Sequence, residues 1–332
     1  MPPKKNIILF LGTINNMLYT DNLEEIIFNR HNMFNSDELI VLSGYVGPKP
    51  IERLRSLPFN SKVIYGMYGI EGIKKPLHNS LVKIQNSVNR VDIYYSNLPI
   101  HSKCYAWRNK GQIVHALVGS ANFSTSGLTT PYREILAETT FDTFNPLNEY
   151  IKKVLNNAIS CLEVGMDKVL NMVSDSVSLL SLLGRNGEVQ ETAGLNWGQN
   201  PKNHTTKNDA YIKIRIQDIK EYSELFPPKQ FNPAKFDGRG RMHRHNDSIE
   251  MIWDDGVCMD GLFFGNQTID GIMYPKQVGS FPHYAEMGKY LRKRLKVPSE
   301  QPVRRFHLDR YGRTDIGISL ISEGVYKFDF SV

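Results

Sequence analysis

The sequence predicts two domains: an α/β domain with a central mixed sheet flanked by helices, then a mostly-β domain built as a compact barrel or sandwich. In the first half of the chain, short apolar runs alternate with segments whose apolar residues have helical spacing. Residues 184–207 are rich in glycine, asparagine and threonine, which is typical of a domain boundary. Beyond them, short apolar runs are separated by turn-forming residues. We therefore predict a first domain over residues 1–183, a linker and the start of the second domain over 184–207, and the remainder of the second domain over 208–332.

The elements of the first domain follow from its apolar patterns, taken in chain order. Short apolar runs predict strands at residues 7–11, 39–46, 62–67, 91–95, 101–107 and 112–119. The last two runs flank Asn109-Lys110-Gly111, which is typical of a hairpin turn. Helical spacing predicts helices at residues 50–57 and 77–88, and a mostly helical segment from residue 147 to about 183, where helix breakers are few.

The second domain contains short strand-like pieces and one strong helical pattern. Strands are predicted at residues 211–216, 248–253, 257–264, 317–321 and 325–330. The helix is predicted near residues 284–295. Many short strands with turn signals between them favour a closed or nearly closed β architecture.

Cysteine usage and hydropathy exclude several classes of protein. The three cysteines, Cys104, Cys161 and Cys258, are odd in number and far apart, so neither a disulfide framework nor a cysteine zinc site is expected. Such usage fits the reducing cytoplasm. No apolar window approaches the roughly 18 residues of a membrane span, so no membrane partner is expected. His243 and His245 lack further ligands at site-like spacing, so we expect no metal and no cofactor.

Positive charge is concentrated in two runs of the second domain. The formal net charge is +6, and residues 289–296 and 229–244 each contain five lysines or arginines. A single basic run is most simply a solvated surface. Two such runs in one small domain favour a polyanionic partner, and nucleic acid in particular.

Five polar residues around the predicted hairpin form the candidate catalytic set: His101, Lys103, Ser120, Asn122 and Glu134. His101 and Lys103 lie two apart on a strand, so their side chains project from one face, and the Gly-Ser-Ala-Asn turn can bring Asn122 and backbone amides to it. An imidazole can attack phosphorus while a cation and amide donors stabilise charge on the non-bridging oxygens. A carboxylate such as Glu134 can hold the imidazole through its second nitrogen. The set therefore predicts cleavage of a phosphodiester.

This set resembles the signature of the phospholipase D superfamily, an H-x-K followed by an asparagine or aspartate and then an acidic residue. The match covers roughly residues 35–140 by order of elements and is tight at the five residues of the candidate catalytic set. Lipases of this superfamily carry the motif twice, whereas His101-Ser102-Lys103 is the sole H-x-K in this chain. In single-motif relatives two subunits bring their motifs together, so the resemblance implies a homodimer.

Six further segments extend the resemblance along nearly the whole chain: residues 195–199 (LNWGQ), 209–212 (DAYI), 253–256 (WDDG), 290–295 (YLRKRL), 311–314 (YGRT) and 328–331 (FDFS). Together with the first domain they are similar to the metal-independent restriction endonucleases of the BfiI, NgoAVII and NgoFVII kind. Those enzymes join a phospholipase D-like nuclease domain to a DNA-recognition pseudobarrel of the plant B-three type. The resemblance implies double-stranded DNA as substrate, a covalent phosphohistidine on His101 and no metal. It leaves open the recognition sequence and whether a methyltransferase or a translocase-like ATPase partner is needed.

A pseudobarrel of this type grips the major groove between two arms, which suggests candidate DNA-binding residues. Arginine and lysine commonly read guanine, and asparagine and glutamine read adenine. The candidates lie around the first arm, in a glycine-rich loop and beside a later hairpin: Trp197, Gln199, Asn203, Lys207, Arg239, Arg241, Arg244, Gln267, Lys276 and Gln277. For each of them a solvated loop position is the alternative, and Trp197 is equally compatible with the core.

Two other functions share part of this evidence. A lipid phosphodiesterase would use the same catalytic set, but the single motif and the basic second domain disfavour it. A non-cleaving DNA-binding regulator would keep the second domain, but the intact catalytic set argues against it. The interpretation we favour is a homodimeric, site-specific DNA endonuclease.

Overall fold

The computed structural model describes residues 18–131, 133–172, 176–202, 205–229, 231–236, 242–244 and 246–332. The strand predicted at residues 7–11 lies outside them.

The first domain is an α/β unit. Its strands are β1 (Leu18–Tyr19), β2 (Glu38–Ser43), β3 (Asn60–Tyr65), β4 (Ile73–Lys74), β5 (Val91–Ser96), β6 (Lys103–Asn109), β7 (Gln112–Gly119), β8 (Leu136–Glu138), β9 (Ala158–Ser160) and β10 (Val169–Leu170). Its helices are α1 (Leu23–Asn29), α2 (Pro48–Arg53), α3 (Tyr68–Glu71), α4 (Lys75–Ser87), α5 (Thr125–Thr129) and α6 (Phe144–Asn156).

Eight of these strands form one mixed sheet in the order β1-β8-β7-β6-β2-β3-β5-β9. The pairs β2–β3 and β3–β5 are parallel, and β2 is antiparallel to β6. Because side chains alternate along a strand, Leu39 and Val41 pack into one apolar core and Ile40 and Leu42 into another on the opposite face. The predicted α/β class with a central mixed sheet flanked by helices is confirmed.

The second domain is mostly β. Its strands are β11 (Ser178–Ser181), β12 (Ile212–Lys213), β13 (Phe231–Phe236), β14 (Met242–Arg244), β15 (Asp247–Trp253), β16 (Cys258–Phe264), β17 (Gln267–Ile269), β18 (Ile272–Tyr274), β19 (Gln277–Ser280), β20 (Asp315–Ser322) and β21 (Val325–Asp329). Its helices are α7 (Ile216–Glu221), α8 (Tyr284–Leu295) and α9 (Arg305–Tyr311). Seven strands form a sheet in the order β11-β20-β21-β15-β16-β19-β12, and its end strands β11 and β12 approach each other. The sheet is thus a nearly closed barrel, which confirms the predicted pseudobarrel.

Two predictions of local structure are wrong. The segment predicted as mostly helical from residue 147 to about 183 is α-helical to Asn156, and beyond that point its described residues contain a single short helical turn, Met166–Lys168. After it β9 pairs with β5, and β11 pairs with β20 of the second sheet, because the chain satisfies its backbone groups on exposed sheet edges there. The single helix expected in the second domain is α8, but α7 and α9 are present as well. The predicted first domain, residues 1–183, therefore includes β11, although this strand pairs with β20 of the second sheet.

The two domains meet at a packed seam. Ile252 of β15 and Val325 of β21 are buried in the same apolar core as the first domain's helices and sheet. Lys74 Nζ also donates a hydrogen bond of 2.8 Å to the carbonyl of Leu320 across the seam. The second domain is therefore joined to the first by apolar and polar contacts together.

The three cysteines are free thiols, with Cys104 and Cys161 buried. In the described part of the chain, no helix combines the length and apolar character needed to cross a bilayer.

Candidate active site

Lys103 begins β6 and His101 lies two residues before it, and together they form the centre of the site. His101 is exposed, whereas the Lys103 side chain is buried, with 6% of the residue exposed. Lys103 Nζ lies 3.2 Å from both ring nitrogens of His101 and donates a 2.7 Å hydrogen bond to its carbonyl. Burial lowers the pKa of Lys103, and the negative charges of Glu134 and Glu323 oppose that shift. The imidazole and the ammonium group are therefore within contact of each other, as the H-x-K spacing predicts.

The loop that follows β2 packs directly against this pair. Antiparallel pairing of β2 with β6 sets Leu42 opposite Cys104, and Gly44, just beyond β2, lies close to His101 and Lys103. A β-carbon at Gly44 would lie 2.9 Å from His101 Cδ2 and 3.3 Å from Lys103 Nζ, so the close approach requires glycine. The Tyr45 ring stands edge-on to His101 at 5.8 Å between centroids, and its hydroxyl donates to Glu71 Oε1 at 2.8 Å. Burial, with help from Glu71, raises the pKa of Tyr45 to about 12, so this phenol stays protonated at neutral pH.

Asn122 is buried beside the same loop. Its Oδ1 accepts a hydrogen bond of 3.2 Å from the Tyr45 amide and one of 3.5 Å from Ser43 Oγ. The next amide, that of Phe123, donates to Ser43 Oγ at 2.9 Å. With Oδ1 committed to the loop, the Nδ2 hydrogens are the part of Asn122 that can donate to a phosphoryl oxygen.

Ser120 and Glu134 are joined through the start of β8. Ser120 donates its amide to the carbonyl of Ile135 at 3.0 Å and accepts at Oγ from the amide of Ile135 at 3.1 Å. These bonds fix the residue that follows Glu134. Glu134 pairs with Arg133 at 3.6 Å, and among the described residues no hydrogen bond joins it to His101. Its charge nonetheless opposes the lowering of the Lys103 pKa by burial, so the carboxylate acts on the cation of the site.

A carboxylate of the second domain also lies near this site. Glu323, in the turn between β20 and β21, pairs with Arg133. Its charge opposes the lowering of the Lys103 pKa by burial and adds a little to the rise of the Tyr45 pKa. The second domain thus contributes charge to the surroundings of the candidate catalytic residues.

The arrangement is suited to phosphoryl chemistry. The exposed imidazole of His101, the ammonium group of Lys103 and the amide group of Asn122 all lie beside the Gly44–Tyr45 loop. Such donors, placed before the reaction begins, stabilise the charge that develops on the non-bridging oxygens.

A polar groove on the second domain is lined by two of the predicted DNA-binding residues. It has a volume of about 860 Å³ and is lined by Arg185, Gln190, Lys213, Arg215, Gln267 and Lys276. Lys276 and Gln267 are predicted DNA-binding residues. Gln267 Nε2 donates to the carbonyls of Ile214 and Pro275 at 3.0 and 2.9 Å, so its amide group also holds the groove wall.

The remaining predicted DNA-binding residues lie in several settings. Trp197 is half-buried in an aromatic cluster with Tyr211, Phe264 and Tyr284. Gln199 donates to the carbonyls of Lys207 and Glu300 at 3.1 and 2.8 Å, and the exposed Lys207 pairs with Glu300 at 3.6 Å. Gln277 is half-buried on β19, and the structure describes only the backbone of Arg244, on β14. The predicted residues Asn203, Arg239 and Arg241 lie outside the described residues.

The basic run at residues 289–296 is partly internal. Arg292 is 2% exposed and donates to three backbone carbonyls, those of Leu195, Gly288 and Gln301. Arg294 makes a bidentate pair with Asp254 at 2.7 and 2.9 Å. Two of the five cations therefore hold the fold, and only the exposed lysines of this run can meet solvent or phosphate.

Across the described ranges, no cluster of three or more histidine, cysteine, aspartate or glutamate side chains is arranged to hold a metal ion.

Several residues at the candidate sites were not predicted from the sequence. Gly44 and Tyr45 end the predicted strand at 39–46, but only the pairing of β2 with β6 places them at the site. Arg185, Lys213 and Arg215 are scattered cations that the barrel gathers into the groove. The sequence shows that these three residues are cations, but it does not show that they lie next to one another in the fold.

Two family models match the chain and together span most of it. The NgoFVII restriction endonuclease N-terminal PLD domain matches residues 21–168. The NgoFVII C-terminal B3-like DNA-binding domain matches residues 170–322. None of the curated proteins compared with the chain matches it.

Among solved structures, the chain is similar to NucT from Helicobacter pylori, with 15% identity and a TM-score of 0.33, over 44% of this chain and 98% of that one. It is also similar to Nuc from Salmonella typhimurium, a phospholipase D family member, with 13% identity and a TM-score of 0.32, again over 44% and 98%.

Proposed function

Because the chain belongs to the NgoFVII restriction endonuclease family, with a phospholipase D-type nuclease domain and a B3-like DNA-binding domain, we propose that it is a site-specific endonuclease. Its substrate in this proposal is double-stranded DNA, and it works without a metal. The observation that supports the chemistry best is the contact of the exposed His101 imidazole with the buried Lys103 ammonium, beside Asn122.

The proposed reaction has two steps. A ring nitrogen of His101 attacks phosphorus, a P–N bond forms, and the P–O bond to one DNA fragment breaks. The leaving oxygen takes a proton from a second imidazole. The second imidazole, now neutral, takes a proton from a water molecule as that water attacks the phosphohistidine; the P–O bond forms, the P–N bond breaks, and both imidazoles return to their starting states. Lys103 and Asn122 stabilise the charge on the non-bridging oxygens in both steps.

The second imidazole is proposed to come from a second subunit. The chain has one H-x-K, and one histidine cannot act as nucleophile and general acid in the same step. A symmetric dimer with the two His101 residues facing each other supplies both groups. Since such a dimer has one active site, the two DNA strands are cut one after the other.

Recognition is assigned to the second domain. The groove lined by Lys213, Arg215 and Lys276 offers cations for phosphates and bidentate donors for guanine. Arg239, Arg241 and Asn203 remain candidates for base contact. We propose a cytoplasmic enzyme, which the free cysteines support. A methyltransferase that protects host DNA fits this activity, and an ATPase partner is a further candidate.

Plasmid DNA incubated with the protein in EDTA tests the proposal. Discrete fragments that map to one sequence are expected. A lipid phosphodiesterase or a non-cleaving regulator leaves the plasmid intact, and cleavage only after addition of Mg²⁺ contradicts metal independence. Hydrolysis of phosphatidylcholine vesicles in a parallel assay distinguishes the lipid enzyme from the regulator.

A further inference from the structure

A buried carboxylate of the DNA-binding domain sits against both loops that hold the candidate catalytic residues. Glu250 lies on β15 and is 1% exposed. It faces the nuclease domain across the seam, where α2 and α5 begin. A buried carboxylate is costly unless its oxygens are hydrogen-bonded.

Each oxygen of Glu250 accepts a hydrogen bond from a backbone amide of the nuclease domain. Oε2 accepts from Lys49 at 2.8 Å and Oε1 accepts from Thr125 at 2.7 Å. Lys49 follows the Gly44–Gly47 loop, and Thr125 comes three residues after Asn122. One carboxylate therefore bridges the chain segments that leave the two loops of the site.

The two loops are also tied to each other. The amide of Gly47 donates to the carbonyl of Phe123 at 2.8 Å, and the amide of Tyr45 donates to Asn122 Oδ1. Gly47 packs so closely on Glu250 that a β-carbon there would overlap Oε1. Its φ of −116° is open to any residue, so that overlap is the specific reason for glycine.

Further polar groups surround the carboxylate on every packed element. Asp260 on β16 accepts from Thr125 Oγ1 at 2.9 Å. Burial raises the pKa of Glu250 to about 7. The hydrogen bonds from the two backbone amides lower this pKa, and the negative charge of Asp260 raises it further. The Lys49 ammonium and the Cys258 thiol also face this cluster. The domain seam is thus a polar junction built around Glu250.

We propose that Glu250 is a positioning residue for DNA cleavage, which holds the Asn122 loop and the Gly44–Gly47 loop in register with His101 and Lys103. This inference rests on the proposed nuclease function. It means that the DNA-binding domain completes the catalytic site and does more than deliver DNA to it. A small displacement of donors that stabilise a transition state is enough to slow the chemical step.

Glu250→Gln tests the inference because its amide group cannot accept from both backbone donors. At saturating cognate duplex, the cleavage rate should fall about tenfold or more, the scale of one lost hydrogen bond to a charged group. The dissociation constant for that duplex, measured in an inactive His101→Ala background, should stay within about twofold, since the groove is unchanged.

Asp254→Asn is the matched control. Asp254 also accepts a backbone amide, that of Phe330 at 2.8 Å, and pairs with Arg294, but it contacts neither catalytic loop. This variant should lose stability and keep its cleavage rate. Equal rates for Glu250→Gln and wild type, or equal losses in both variants, would overturn the inference.

Gly47→Ala gives an independent test of the contact between Gly47 and Glu250. Its methyl group should displace Glu250 and slow cleavage about as much as Glu250→Gln does. In a Glu250→Ala background the same methyl group has room, so Gly47→Ala should then change the rate little. Equal effects in the two backgrounds would contradict the proposed contact.

Amide hydrogen exchange separates failure of this inference from failure of the proposed function. Exchange at residues 44–49 and 122–125 should be faster in Glu250→Gln than in wild type, whether or not the wild type cuts DNA. Unchanged exchange overturns the positioning role. A wild type that cleaves no DNA overturns the nuclease proposal alone.

Discussion

The protonation of Glu250 should make the stability of the whole chain depend on pH. Burial raises its pKa to about 7 from an ordinary value of 4.5. The folded chain therefore holds this proton more tightly than the unfolded chain does. The stabilisation is complete below about pH 4.5 and is lost as the pH rises through about 7.

The size of the effect follows from these two values. Between pH 5.5 and pH 8 a single group of this kind changes the free energy of unfolding by about 2 kcal/mol, with the protein more stable at the lower pH. Glu250 is fully buried, so solvent screening does not reduce that figure appreciably. Glu250→Gln removes the titration, and its absolute stability is lower at either pH.

Urea unfolding of wild type and Glu250→Gln at pH 5.5 and pH 8, followed by the fluorescence of the buried Trp107 and Trp253, measures the difference. Asp247 and Asp260 also have raised pKa values, but both remain in the variant, so comparing the two slopes isolates Glu250. The variant should show a pH dependence about 2 kcal/mol smaller than that of wild type. Parallel slopes in the two proteins would refute the assignment of a raised pKa to this residue.

Four further predictions concern cleavage and binding. His101→Ala should abolish cleavage and keep specific DNA binding, and loss of both in a folded variant would contradict the division of labour between the domains. Lys103→Ala and Asn122→Ala should each lower the single-turnover rate about 10²-fold, and rates within twofold of wild type would remove them from the site. A mixed dimer of wild type and His101→Ala, purified with two different tags, should lose most of its activity, whereas two independent sites would leave it at about half. Lys213→Ala should weaken binding to all duplexes alike and lower the salt slope by about one, while a change at a single base position would make Lys213 a base reader.

Elements that depend on local pattern were accessible from the sequence. The apolar runs at residues 39–46 and 91–95 overlap β2 and β5 almost completely, and the pattern near residues 284–295 is α8. The hairpin turn at Asn109-Lys110-Gly111 was equally clear, with positive φ at Lys110 and Gly111. The spacing of His101 and Lys103 predicted their proximity from the alternation of side chains along a strand, although β6 begins only at Lys103.

Features that depend on contacts between residues far apart in the chain could not be predicted from the sequence. The segment after Asn156 has few helix breakers, yet open edges of two sheets draw it into β9 and β11. Arg292 and Arg294 appear in the sequence as a solvated basic run, but their partners are Leu195 and Asp254, far away in the chain. No local signal marks such pairs, because each side chain alone is an ordinary surface residue type.

The role proposed for Glu250 at the contact between the two domains could not be predicted from the sequence for the same reason. Glu250 is 201 residues from Lys49 and 125 from Thr125 along the chain. Nothing in the strand around it distinguishes its carboxylate from those that face solvent. Only the packing of the two domains brings it against the loops of the site.

The most direct test of the proposed mechanism is to trap the covalent intermediate. Wild-type protein is mixed with cognate duplex radiolabelled at its phosphates in the presence of EDTA, quenched in alkaline denaturant and separated from free DNA. The account predicts a labelled polypeptide whose label is released by acid and lies on the peptide that contains His101, with no label on His101→Ala. DNA cleavage that leaves the polypeptide unlabelled at every time point would contradict a phosphohistidine.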